Sequence, residues 1–288
     1  MLIDRKFFRL FWLALVVKDF CIAKLRAPSM IKQTLKRLLR QLGWDIHRFD
    51  PESSSTAQIL AAINHVGAGL VFDIGANKGQ FAKDLRSAGY TGTIVSFEPL
   101  SEAHLKLEAN SRGDAKWLVH TRAALGDCDG EVEINLAGNS VSSSILPMLE
   151  AHSSAARQSI YVGSERAPLA RLDSLSHKYI TSSSSFFVKI DAQGYEWQVL
   201  DGASETLQIA SGVLLEMSLV PLYHGQHLWL DLLERMEGIG FTLWSIQRGF
   251  TDSRSGRTLQ IDAIFLKFRA PYQKLVEPTT DRGAHAEV

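Results

Sequence analysis

Short apolar runs alternate with amphipathic stretches between residues 57 and 268. Runs rich in β-branched and aromatic residues predict strands, whereas apolar residues spaced three or four apart predict helices. The predicted strands are 70–74, 93–98, 116–120, 131–136, 186–191, 213–219, 241–246 and 259–267. The predicted helices are 58–66, 81–86, 99–109, 194–207 with a break at Gly202, and 228–237. This alternation is typical of an α/β fold built on a parallel sheet.

The last two predicted strands are separated by a loop of residues 247–258 alone. Parallel neighbours need a longer crossover connection, usually a helix. We therefore predict that these two strands pair as an antiparallel hairpin.

The residue pattern divides the chain into parts. They are a basic helical N-terminal segment (1–50), a main domain (51–270) that contains a serine-rich insertion (137–168), and a flexible polar tail (271–288). In the first part, apolar residues between Ile31 and Leu42 recur at helical spacing, and Gly43 ends the pattern. Pro51 and the serine run after it predict a linker with a helix N-cap.

The charge of the chain is unevenly distributed. The 288 residues carry 31 Lys and Arg against 31 Asp and Glu, so the formal net charge is zero. Residues 1–48 contain eleven basic and three acidic residues, a net charge of +8, which leaves −8 for the rest. A neutral chain argues against a broadly basic nucleic-acid-binding protein, so we expect no nucleic-acid partner.

The basic segment favours contact with an anionic surface. Its apolar stretch, residues 7–17, is shorter than the ~20 residues that a membrane span needs. A basic amphipathic segment predicts peripheral contact of residues 1–48 with a membrane surface, or packing on the main domain. Two alternatives remain: a signal peptide, against which Lys18 and Asp19 argue, and an upstream extension before a natural start at Met30.

The two cysteines, Cys21 and Cys128, are far apart and form no CxxC pair. A disulfide scaffold and a zinc ribbon are therefore excluded, and a reducing cytoplasmic location is the simplest prediction.

A glycine-rich turn follows the first predicted strand of the main domain. It spans Asp73-Ile74-Gly75-Ala76-Asn77-Lys78-Gly79, and Glu98 ends the next strand. Glycines let the backbone approach a ligand closely, and the following helix offers free N–H groups. An acid at the end of the second strand is placed to accept both hydroxyls of a ribose, as in folds that hold adenosine-type cofactors.

Other interpretations of this turn are weaker. A nicotinamide dehydrogenase requires G-x-G-x-x-G, whereas this chain has G-x-x-x-G with Asp73 where a pyrophosphate would lie. The acid suits a cationic ligand such as S-adenosylmethionine. The P-loop pattern is absent from the sequence. A tight turn without a ligand is the remaining alternative.

The sequence resembles the FkbM family of S-adenosylmethionine-dependent methyltransferases over roughly residues 57–268. Five blocks occur in the family's order: Asp73–Gly79, Ser96–Pro99, Ala124–Asp127, Lys189–Glu196 and Val199–Ala203. The resemblance implies a Rossmann-like class I methyltransferase fold, with a seven-stranded sheet of order 3-2-1-4-5-7-6 whose last strand is antiparallel. It also implies O-methylation of a sugar, a glycan or glycolipid, or a secondary metabolite.

The resemblance also implies a set of cofactor-binding residues for S-adenosylmethionine. The turn residues expected at its methionine end are Asp73, Gly75, Ala76, Asn77 and Gly79. Glu98 is expected to bind the ribose, and Asp127 is a candidate for the adenine amino group, although it is equally well a local turn cap. Many family members have an acid where this chain has Gln193.

Four residues are candidates for the catalytic side. Asp191 ends the predicted strand 186–191 and is the expected acceptor-site acid, with Lys189 on the same face as a catalytic group or an ion-pair partner. Glu216 is expected to face the same cleft, and His224 is a candidate base or a solvated loop residue. No metal site is predicted, because Asp191 and Glu216 have no further ligand at suitable spacing. The insertion is expected to cover the acceptor, with Ser142–Ser144 bonding its hydroxyls.

Two other functions compete with the methyltransferase. One is a non-catalytic, cofactor-binding partner protein that docks through its basic helix. The other is an NAD-dependent oxidoreductase.

Overall fold

The computed structural model describes residues 29–181 and 185–268 of the chain. The chain separates into two compact units, residues 1–49 and residues 50–288. The predictions for residues 1–28 and for the tail beyond residue 268 fall outside the described residues.

The described part of the first unit contains one helix, α1 (Ser29–Gln41), where the spacing predicts it. Gly43, with φ of 80°, follows the helix, and Arg40 pairs with Asp45 at 3.2 Å. Leu42 and Trp44 are exposed. In the described part of the chain, none of the helices has both the length and the apolar character that crossing a membrane requires.

The second unit combines ten strands and eight further helices among its described residues. The strands are β1 (Leu70–Ile74), β2 (Thr93–Phe97), β3 (Trp117–Val119), β4 (Ala124–Leu125), β5 (Gly130–Ala137), β6 (Tyr161–Ala170), β7 (Phe186–Ile190), β8 (Gly212–Ser218), β9 (Thr242–Arg248) and β10 (Gln260–Leu266). The helices are α2 (Ser55–His65), α3 (Gln80–Ser87), α4 (Ser101–Ser111), α5 (Glu150–Ala155), α6 (Leu172–Ser176), α7 (Glu196–Asp201), α8 (Ser204–Ile209) and α9 (Trp229–Gly238).

Seven of the strands form the main sheet in the order β3-β2-β1-β7-β8-β10-β9. Neighbours from β3 to β8 are parallel, and β10 runs antiparallel to both β8 and β9. Numbered along the chain, these strands have the order 3-2-1-4-5-7-6. The predicted class I methyltransferase topology and the terminal hairpin are therefore confirmed.

The central strands are buried on both faces because helices cover both sides of the sheet. Every residue of β1 and β7 is buried, as their near-continuous apolar sequences predict. On one face Val71 and Phe187 pack in a cluster with Ile63 of α2 and Leu85 of α3. Burial of this apolar surface fixes the position of α2 and α3 above the sheet.

The serine-rich stretch 137–168 differs from its prediction. Its last eight residues belong to β6, which pairs antiparallel with β5 over the register Gly130↔Leu169 to Ala137↔Tyr161. The predicted helix near 147–158 is shorter, because α5 covers Glu150–Ala155 and a 3-10 turn follows at Arg157–Ser159. The sequence hides β6 because polar residues crowd its middle and burial resumes only at Ala167 and Leu169.

Candidate functional site

A cavity of about 360 Å³ opens at the carboxyl ends of β1, β2 and β7. Ligands of open α/β sheets bind at this edge, where the loops after neighbouring strands diverge. The walls come from the turn after β1, the segment after β2, the loop after β7, and residues 140–145 of the serine-rich stretch. A volume of this size lies in the range of small-molecule sites.

The turn after β1 has a left-handed backbone at three positions, Gly75 (φ 72°), Asn77 (φ 46°) and Gly79 (φ 83°). A Cβ at Gly75 would lie 1.8 Å from the backbone oxygen of Asp191. A Cβ at Gly79 would lie 2.5 Å from the Trp117 ring. The two positions therefore require glycine for different reasons. Gly75 lets the turn contact the end of β7, and Gly79 lets α3 pack on β3.

Glu98 binds one backbone amide of the glycine turn and one of the segment after β2. Its Oε2 accepts a hydrogen bond from the Asn77 N–H at 2.7 Å, and its Oε1 accepts one from the Leu100 N–H at 2.9 Å. The residue is only 3% exposed and lines the cavity. Burial raises the pKa of Glu98 to about 7, although both amides lower it.

Lys189 joins β1 to β7 from a buried position between two carboxylates. Its Nζ lies 3.3 Å from Oδ1 of Asp73 and 3.4 Å from Oδ2 of Asp191. It also donates to the carbonyl oxygens of Ile74 at 3.1 Å and Gly75 at 2.9 Å. Burial alone would lower the pKa of Lys189, but the charges of Asp191 and Asp73 outweigh burial and raise it. Lys189 is therefore a permanent cation that fixes the turn.

Gln193 connects the acids on the other side of the cavity. Its Nε2 donates to Oδ1 of Asp191 at 2.8 Å and to Oε2 of Glu216 at 2.9 Å. Its Oε1 accepts from the Tyr223 hydroxyl at 2.9 Å. Burial, followed by the charges of Asp191 and other acids, raises the pKa of Glu216 well above its usual range. The amide of Gln193 thus separates two carboxylates that would otherwise repel each other.

Six of the residues predicted from the sequence line the cavity together. They are Gly75, Ala76, Asn77, Glu98, Lys189 and Asp191. Asp73 does not line it, because its side chain is fully buried against Lys189 and the Ser96 hydroxyl, which donates to it at 3.2 Å. Gly79 packs against Trp117 instead.

Three other predicted residues also lie outside the cavity wall. Asp127 is exposed in the turn after β4, and His224 is exposed on the loop after β8. Glu216 points its carboxylate at the amides of Gln193 and Gln260, at 2.9 and 2.8 Å. Its contact with the cavity therefore runs through Gln193.

The serine run reaches the cavity in part. Ser143 and Ser144 line it, whereas Ser142 accepts a hydrogen bond from the Asn139 amide at 3.0 Å and does not line it. Ser144 Oγ donates to the backbone oxygen of Gln193 at 2.6 Å. Ser140, outside the predicted trio, accepts from the Asn77 amide at 3.4 Å.

Several polar residues of the cavity were not predicted from the sequence, among them Gln247 on β9 and Asp262 on β10. The available signal was the pair Gln260 and Asp262, which place two polar side chains on one face of an otherwise apolar strand. Among the described residues, no group of three His, Cys, Asp or Glu side chains is arranged to hold a metal ion.

The cavity suits an adenosine-type cofactor. Beside the carboxylate of Glu98, apolar side chains form a slot of the kind that accommodates a flat base. They are Phe97, Leu100, Leu125 and Ile134. A carboxylate that can accept hydrogen bonds from a ribose diol, next to such a slot, is the arrangement that suits the nucleoside end of S-adenosylmethionine.

The model of the methyltransferase FkbM domain matches residues 73–243 of the chain. No curated protein matches the chain. The chain is also similar to several solved structures, of which three follow. Magnesium protoporphyrin IX methyltransferase (ChlM) of Synechocystis PCC 6803 with bound SAM is 10% identical, with coverage of 85% of this chain and 100% of that chain and a TM-score of 0.40.

The second is a TehB-like SAM-dependent methyltransferase of Corynebacterium glutamicum, 13% identical over 83% of this chain and 98% of that chain, with a TM-score of 0.36. The third is an rRNA methylase of Streptococcus thermophilus, 9% identical over 75% of this chain and 98% of that chain, with a TM-score of 0.41.

Replacing Gly75 with Ala should destabilise the protein far more than an ordinary left-handed glycine replacement. Gly67→Ala is the matched control, because its φ of 62° is similar and nothing lies within 4 Å of its Cβ position. We expect a loss of about 1–2 kcal/mol for the control and at least about 2 kcal/mol more for Gly75→Ala, measured by urea unfolding. Equal losses would mean that the turn and β7 do not touch.

Replacing Lys189 with Met should leave Asp73 as an uncompensated buried charge. We expect a loss of about 3–5 kcal/mol in the free energy of unfolding, of which the double variant Asp73→Asn/Lys189→Met recovers at least half. Lys83→Met on the exposed face of α3 is the control and should be near neutral. Additive losses in the double variant would contradict the ion pair.

Proposed function

Because this chain belongs to the FkbM methyltransferase family, we propose that it transfers a methyl group to a hydroxyl of a sugar, a glycan or glycolipid, or a secondary metabolite. Its cofactor is S-adenosylmethionine, which supplies an electrophilic methyl group when bound. The observation that carries the proposal is the buried carboxylate of Glu98, set between the glycine turn and the apolar slot.

The proposed cofactor site uses the residues that line the cavity around this carboxylate. Glu98 accepts from the ribose, and the backbone of Gly75, Ala76 and Asn77 borders the methionine end. Asp73 and Gly79 act from outside the wall by holding the turn, Asp73 through Lys189 and Gly79 through its packing on Trp117. Asp127 is the weakest member of the set, since it is exposed and outside the wall.

On the acceptor side we propose that Asp191 fixes the acceptor hydroxyl. Lys189 and Gln193 each bond one oxygen of its carboxylate, at 3.4 and 2.8 Å, so its orientation is set before any ligand arrives. Preorganised contacts of this kind lower the entropic cost of aligning two reactants. Glu216 supports Asp191 through Gln193. His224 does not line the cavity and would act only from outside its wall.

The proposed acceptor is not a nucleic acid. Acidic side chains line the cavity, among them Asp84, Asp191 and Asp262, and their charge would repel a phosphate backbone. We also propose that residues 140–145 cover the bound acceptor, since they already form one wall.

Titration with S-adenosylhomocysteine tests the proposed site. The wild-type protein should bind it, with an affinity that increases between pH 6 and pH 8, because Glu98 has a pKa of about 7 and accepts hydrogen bonds best when ionised. Glu98→Gln should bind about 10-fold or more weakly at pH 8 and should lose this pH dependence. Glu131→Gln, on the exposed edge of β5, is the control. No calorimetric signal with the wild type would refute the proposal.

Methyl transfer separates the enzyme from a non-catalytic binding protein. With methyl-labelled S-adenosylmethionine and a cell-envelope or glycolipid fraction, the wild type should transfer label to a hydroxyl-bearing acceptor, and Asp191→Asn should transfer at least about 10²-fold less. Binding of S-adenosylhomocysteine without any transfer would favour the non-catalytic alternative. Stabilisation by NAD without stabilisation by S-adenosylhomocysteine would favour an oxidoreductase.

A further inference from the structure

The cavity continues from the proposed cofactor site into a second region beside α2. We name this region the α2 arm and define it by Thr56, Ile59, Leu214, Gln247 and Asp262, which line it. The strands that contribute to it are β8, β10 and β9, which lie at the end of the sheet away from β2. The apolar slot beside Glu98 and the α2 arm therefore lie at opposite ends of one cavity.

The sheet register places the polar residues of the α2 arm on one face. Asp262 pairs with Gln247 on β9 and with Glu216 on β8. Residues directly opposite each other on paired strands project to the same side of the sheet. This is also the side of Leu214, which pairs with Lys189.

Gln247 presents a hydrogen-bond acceptor to the arm. Its Nε2 donates to the Ser55 backbone oxygen at 3.1 Å and to Oε1 of Gln58 at 2.8 Å, which fixes the orientation of the amide. The residue is only 6% exposed. Among the described residues, none donates a hydrogen bond to its Oε1. Gln247 therefore lines the cavity with an amide oxygen that has no donor among the described residues.

Asp262 presents a second acceptor. No side chain or amide in the described part of the protein bonds or pairs with its carboxylate. Burial, together with the charge of Asp191, raises its pKa to about 6, while Lys189 lowers it. The carboxylate is therefore ionised at neutral pH. Its nearest cation, Lys189, is already held by Asp73, Asp191 and two backbone carbonyls.

Two acceptors without donors from the described residues, next to Thr56, Ile59 and Leu214, favour a ligand that donates hydrogen bonds. We propose that the α2 arm binds the acceptor, that it selects a polyhydroxyl or amine-bearing group, and that it rejects a phosphate or carboxylate there. Asp262 and Gln247 are the residues that determine this specificity. The inference rests on the proposed function. It adds where the acceptor binds and which charge on the acceptor is accepted there.

Saturation-transfer NMR on the full chain, saturated with S-adenosylhomocysteine, tests the proposal with three probes. We expect glucosamine to bind more tightly than glucose, and glucose 6-phosphate to show no binding up to 50 mM, a range chosen for the roughly millimolar affinity of small fragments. Asp262→Asn should weaken glucosamine binding at least tenfold. Thr56→Trp, which fills the arm from α2 without altering either acceptor, should abolish binding of both sugars.

The controls make each outcome decisive. Glu131→Gln removes the same charge on the exposed edge of β5 and should bind all probes like the wild type. Unchanged sugar binding in both Asp262→Asn and Thr56→Trp would overturn the proposal. So would binding of glucose 6-phosphate as tight as that of glucose, or no binding of either sugar. A preceding titration with S-adenosylhomocysteine separates the two claims. If S-adenosylhomocysteine does not bind, the proposed function is refuted. If it binds but one of the contrary sugar-binding results is found, only the proposal for the α2 arm is refuted.

Discussion

The ammonium group of Lys189 is the interaction on which the site depends. It bonds or pairs with groups of β1, of the turn after β1 and of the loop after β7, all within 3.4 Å. A parallel sheet leaves the ends of adjacent strands to diverge into separate loops. Lys189 holds two of these loops together, and the absence of a side chain at Gly75 lets their backbones meet. Without both features, the two loops that border the cavity would not be held in fixed positions.

The surroundings of Lys189 set the electrostatics of the cavity. The acids that interact with the charge of Lys189 include Asp73, Asp191, Glu216 and Asp262. Burial raises the pKa of Glu196, which is close enough to feel the charge of Asp191, to about 7. Amide groups of Gln193 and Gln260 donate to some of these carboxylates. Paired and amide-bonded acids are costly to remove singly but do not by themselves stabilise the fold. Their arrangement favours a ligand that is cationic or donates hydrogen bonds, as the sulfonium of S-adenosylmethionine and a polyol do.

Much of the fold could be predicted because it depends on periodicities visible in the sequence. The apolar runs of β1 and β7, the turn at Gly75 and the short loop before β10 each have a local signature, which predicts a parallel sheet with a terminal hairpin. The order of its seven strands was implied by the resemblance to the FkbM family. β6 could not be predicted, because its pairing with β5 stabilises a strand whose middle is polar. Pairing of this kind is a tertiary effect that overrides local propensity.

The lining of the cavity was predictable where a candidate residue follows a strand closely. Gly75, Asn77, Glu98 and Asp191 follow strands directly and meet at one edge. Asp73 and Glu216 carry the same chemical signal, but cross-strand partners turn them away from the cavity. Gln247 and Asp262 enter it through the register of β9, β10 and β8, which a single sequence does not reveal.

The most direct measurement is a crystal structure of the full chain with S-adenosylhomocysteine. We predict that the ribose hydroxyls lie within hydrogen-bond distance of the Glu98 carboxylate and that the adenine lies between Leu100, Leu125 and Ile134, with the α2 arm left open. Nucleoside density in the α2 arm, or anywhere outside this cavity, would contradict it.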